Sequence, residues 1–159
     1  MSSPVAQSAL DAEDQIVRGF LFRTLPITQW THHAHLRVGL WHVLQCGAVR
    51  SLGLLRDRIS AYNESTGVAN TDRSGYHETL TRFYVGLIDS FSRRVDRLQP
   101  FEELARELIA GYGDRELPLR FYSRERLFSV PARRSWLPPD LTPLPDGWAL
   151  EMEDQSPGV

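Results

Sequence analysis

Residues 31–47, THHAHLRVGLWHVLQCG, decide the fold. Leu36, Leu40, Val43 and Leu44 recur at spacings of three and four, the pattern of one buried helical face. Thr31, like Thr28 just upstream, is a residue type that caps helix N-termini, and Gly47 stands where helices tend to end. Nothing in this half of the chain alternates with the period of two that a half-buried strand needs. The stretch predicts a helix, and its surroundings repeat the pattern.

Upstream, Ile16 and Phe20 mark a first helix over about Ala12 to Arg23, closed before Pro26. Downstream, Leu52, Leu55 and Ile59 share one face of a third helix from about Ala48 to Tyr62. The polar run NESTGVANTDRSG over residues 63–75 reads as a loop, rich in turn-forming side chains and long enough to suggest a function. Ser74 is a candidate cap for a fourth helix to about Arg97, with Leu80, Phe83, Tyr84, Leu87 and Phe91 on one side. Pro100 suits the start of a fifth, with acidic residues in its first turn. Residues 117–140 suggest one or two short helices, the first capped by Ser123. The expectation is an all-α, single-domain bundle of about five main helices over residues 11–142. A flexible arm over residues 1–10 precedes it, and a Pro-rich, acidic tail over residues 143–159 follows.

The chain has 159 residues, a formal net charge of −2, and 18 basic residues that are all arginine. Without lysine there is no Schiff base, no pyridoxal phosphate attachment and no Walker A loop. Arginine does not substitute, because it stays protonated and offers donors, not a nucleophile. The near-zero charge balance argues against nucleic acid or a membrane surface as partner. Cys46 is the only cysteine, so an internal disulfide or a multi-thiolate metal site is excluded. The N-terminus lacks a basic start followed by an apolar core, and no apolar run approaches the roughly 20 residues of a membrane span, which points to the cytoplasm.

Four of the five histidines fall within His32, His33, His35 and His42. On a helix, His32 and His35 stand one turn apart on adjoining azimuths, close enough to share a metal ion. His42 lies two turns beyond His35, about 10 Å along the axis, where a second-shell or substrate-facing role is open to it. His77 flanks the apolar stripe of the fourth helix. Glu78 points away from it if that helix is regular from Ser74, and turns in as a ligand or general base if the helix starts later. The expectation is a divalent metal (Zn, Fe, Mn or Ni) held by His32, His35 and His77, with Glu78 or metal-bound water as base. The competing reading makes the same histidines caps and hydrogen-bonded core residues.

Asn63, Asn70 and Thr71 lie in the loop ahead of His77 and are candidates for orienting a substrate. Arg120, Arg124 and Arg126, around the Ser123 cap, form a candidate anion pocket. Trp30 reads as a core or interface anchor, Tyr76 and Tyr84 as core or rim aromatics, and Cys46 as a buried small residue.

The strings TLPITQWTHHAHLRVGLWHV, YNESTGVANTDRSGYHETLTRFYV and LPLRFYSRERLFSVPARRSWLPPDL together resemble a family of small bacterial helical proteins. The resemblance covers most of residues 15–142. It implies one compact bacterial domain and brings no activity with it. Function therefore rests on the residues: a small metalloenzyme acting on a small anionic substrate, hydrolytic or oxidative according to the metal. The alternative is a non-catalytic module that binds a small molecule or a partner without metal. Haem held by His35 or His42 ranks below both, and a homodimer through an apolar helix face is compatible with the pattern.

Overall fold

Asp14 accepts hydrogen bonds from the amides of Ile16 and Val17, which caps helix α1, Gln15–Phe22. Residues 14–152 are described by the computed structural model. The arm predicted over residues 1–10 lies outside them. Arg23 ends α1 in the left-handed conformation, and a 3-10 turn at Ile27–Gln29 leads to α2, His32–Cys46. Of the two threonines, Thr31 is the cap: its hydroxyl accepts from the Ala34 amide at 3.2 Å. Gly47 closes α2 with φ of 78° and at the same point opens α3, Ala48–Ser65. α4 spans Glu78–Arg94 and α5 Phe101–Tyr112. A 3-10 turn at Leu117–Arg120, then α6, Arg124–Leu127, and α7, Val130–Arg134, complete the helices of the described residues. No strand occurs among the described residues, so the fold is the all-α bundle the sequence predicts.

The boundary that differs most is the start of α4. Ser74 does not cap it. The Ser74 carbonyl instead accepts from the Thr71 amide in a tight turn, and His77 takes the cap, its Nδ1 accepting from the Leu80 amide at 3.1 Å. At the other end α4 stops at Arg94, where Val95 is extended.

α2 is the central element and packs against α1, α3, α4 and α5. Its closest neighbour is α4, and Gly39 permits this: a Cβ there would lie 2.8 Å from Ile88 Cδ1. The core continues past residue 142. Leu144 and Leu150 pack against it, and Trp148 is buried with its ring 5.7 Å from Phe83, 5.8 Å from Tyr112 and 5.6 Å from Phe121. Residues 143–152, read from composition as part of a tail, are thus a strap across α4 and α5. No helix among the described residues is long and apolar enough to cross a membrane.

Candidate functional site

Between α2, α3 and α4 lies a cavity of about 340 Å³, open to solvent on one side. α2 contributes Leu36 and Val38, α3 Leu55 and Ile59, and α4 Leu80 and Ile88, so most of the wall is aliphatic. That follows from the periodicity: each helix turns its apolar stripe inward, and the stripes meet there. Among these side chains stand His32, His35, Tyr84 and Arg115.

His35 Nδ1 lies 2.7 Å from the Thr31 carbonyl, which only accepts, so Nδ1 carries the proton and Nε2 keeps its lone pair. The ring lies tilted by 30° against Trp30 with centroids 3.8 Å apart. One face of His35 is open to water, yet protein surrounds the rest. Burial pulls its pKa below the usual imidazole range, the Thr31 bond opposes that pull, and the charges of His32 and Arg115 add to it. His32 is also held below the ordinary value, first by burial and then by the charges of His33 and Arg115, with Asp114 and the Tyr112 backbone carbonyl opposing them. Both imidazoles are neutral at pH 7.

Tyr84 meets His32 edge to face at 5.2 Å. Burial raises its phenol pKa, so the hydroxyl keeps its proton. His32 Nε2 and Tyr84 Oη are both buried, and neither has a hydrogen-bond partner among the described residues. Arg115 reaches the cavity from the exposed turn after α5. Its neighbours Arg120 and Arg124 pair with Asp114 and Glu116, whereas Arg115 has no ion pair among the described residues.

The other expected site residues lie elsewhere. His77 is buried with both nitrogens in use: Nδ1 caps α4, and Nε2 donates to the Leu127 carbonyl at 2.8 Å. It ties α4 to α6 and does not join His32 and His35. Glu78 turns to α3, where Arg56 grips it with two bonds of 3.0 and 2.5 Å and the Tyr76 hydroxyl donates at 2.6 Å. Burial pushes the Glu78 pKa up, but these bonds outweigh it and hold the carboxyl below its ordinary value. His42 is a core residue: Nδ1 donates to the Val38 carbonyl at 2.7 Å, and Nε2 accepts from Arg58 at 2.8 Å. Among the described residues no three His, Cys, Asp or Glu side chains gather as a metal site.

Asn63 and Asn70 hold the loop together. Asn63 Nδ2 donates to Asn70 Oδ1 at 3.0 Å, and Asn70 Oδ1 also takes the Tyr76 amide. Thr71 accepts from the Arg73 amide within the same turn. Arg126 donates to the Pro138 carbonyl at 2.7 Å, while Arg120 and Arg124 make the exposed ion pairs noted above. None of these six lines the cavity. Thr81 also lines the cavity; reading from sequence did not single out Arg115 or Thr81, and it placed Tyr84 in the stripe as a core or rim aromatic. Tyr84 carried a signal, since a hydroxyl in an otherwise aliphatic stripe has to find a partner. Comparison with protein-family models, with curated proteins and with solved structures gives no match.

Proposed function

We propose that this chain is a binding module for a small organic molecule, held in the cavity between α2, α3 and α4. One observation supports this reading above the others: in an aliphatic wall, His32 Nε2 and Tyr84 Oη are buried without partners. Leaving such a group unpaired costs on the order of 1–3 kcal/mol. A ligand with an apolar body and one polar group relieves that cost and fills the space. The cavity volume of about 340 Å³ falls within the roughly 300–1,000 Å³ usual for small-molecule sites.

The metalloenzyme reading retains a narrower basis. His35, with Nδ1–H fixed on a carbonyl, is oriented as ligating imidazoles are, and His32 shares its cavity. Thermal unfolding of untagged protein separates the two. The expected result is that 3-phenylpropanamide raises the melting temperature of the natural chain but not of Ile59→Trp, which fills the cavity, and that Zn²⁺ and Fe²⁺ do not raise it. Stabilisation by a metal that disappears in His35→Ala, with no response to the organic probe, returns the function to the metal reading.

A further inference from the structure

Resting on the binding reading above, we infer that the cavity selects a monocarboxylate with an apolar body, its carboxylate held by Arg115 and Tyr84. Three observations converge on this ligand. Arg115 is a full positive charge at the cavity with no ion pair among the described residues, in a chain where the neighbouring arginines have one. Its guanidinium is near enough to His32, His35 and Tyr84 to act on the charge state of all three. The polar atoms without partners include a phenol that keeps its proton, and a phenol donates to an anion without adding charge.

The charge count favours one negative charge over two. One guanidinium balances a monoanion, whereas a phosphate monoester would leave excess negative charge against Leu36, Leu55 and Leu80. A planar carboxylate also matches the fork of the guanidinium, two N–H groups to two oxygens. The whole cavity, about 340 Å³, holds roughly eleven waters at liquid density, which suits a carboxylate carrying an apolar body of one ring or a short branched chain. The His32 and Tyr84 rings meet edge to face, and the Tyr84 hydroxyl is buried, so a ligand oxygen reaches it by displacing one of these rings. His35 Nε2, an acceptor, lies on the same cavity and takes a ligand hydroxyl or N–H where one is present.

Calorimetry with the full chain tests this, using 3-phenylpropanoate, its amide and phenyl phosphate at pH 7. The acid should bind about tenfold or more tightly than the amide, a difference of about 1.4 kcal/mol. Arg115→Gln, at an exposed position that leaves the fold intact, should erase the difference between acid and amide. Tyr84→Phe should reduce it. Equal affinity of acid and amide in the natural chain overturns the carboxylate inference and leaves the binding reading standing. Phenyl phosphate binding more tightly than the acid also overturns it, in favour of a dianion. If neither acid nor amide binds at roughly millimolar concentration, and Ile59→Trp behaves as the natural chain does, both readings fall.

Discussion

At the scale of single residues, two tyrosines whose hydroxyls are both out of reach of water carry different costs, and the difference is measurable. The Tyr62 hydroxyl donates to the Leu25 carbonyl at 2.8 Å, whereas the Tyr84 hydroxyl is buried without a partner. Tyr62→Phe should therefore lose about 1 kcal/mol of stability in denaturant titrations, while Tyr84→Phe is neutral or slightly stabilising without ligand. Equal losses from the two would mean that Tyr84 already has a partner. His42 predicts a pH dependence. Burial, and then the charge of Arg58, lower its pKa from 6.5 to about 4 against the opposing Val38 bond. Above about pH 6.5 the ring is neutral in folded and unfolded chains alike. As pH falls from there towards 4, the unfolded chain takes up a proton that the folded chain refuses, so stability drops, by on the order of 3 kcal/mol in total. His42→Phe should flatten that part of the stability profile. None of this is visible in the string HHAHLRVGLWH, because spacing places imidazoles on a helix but does not say which carbonyl or guanidinium each one meets.

At the scale of elements, the sequence was most legible where a helix end depends on one local hydrogen bond. Thr31, Ser123 and Gly47 act where their chemistry predicts. The start of α4 was not legible. Ser74 has the better capping side chain, but the turn organised by Asn70 draws it away from the helix, and His77 caps in its place. That switch is also why the expected metal set does not assemble, since a cap on Leu80 and a bond to Leu127 leave His77 no free nitrogen. The consequence can be checked by mutation. His77→Ala loses both bonds and should cost about 2 kcal/mol, whereas His77→Asn keeps a capping oxygen and should recover about half of that. If the two variants are equally stable in thermal melts, the cap contributes nothing and α4 is held by packing alone.

At the scale of the molecule, helix periodicity foretold the bundle because each stripe buries itself against its neighbours, while the strap that closes it has no period to read. Residues 143–152 hold prolines, acidic side chains and a single tryptophan, a composition that looks solvated until Trp148 is seen wedged among Phe83, Tyr112 and Phe121. The matching signal lies in α4, where Gly86 gives up helix propensity at a buried position. A Cβ at Gly86 would stand 1.8 Å from the Trp148 carbonyl oxygen. That neighbour is backbone, so no side-chain rotation relieves the clash, and Gly86→Ala has to lift the strap. Trp148→Ala keeps the strap but empties its pocket, a change that costs roughly 3–5 kcal/mol for a large buried aromatic. Both variants, and a chain ending at residue 142, should share one outcome: a large loss of stability. Gly86→Ala should in addition shift tryptophan emission to the red as the indole meets water. A chain ending at residue 142 that melts with the full chain would show the strap to be an ornament on a bundle complete without it, and would restore the boundary that composition alone suggests.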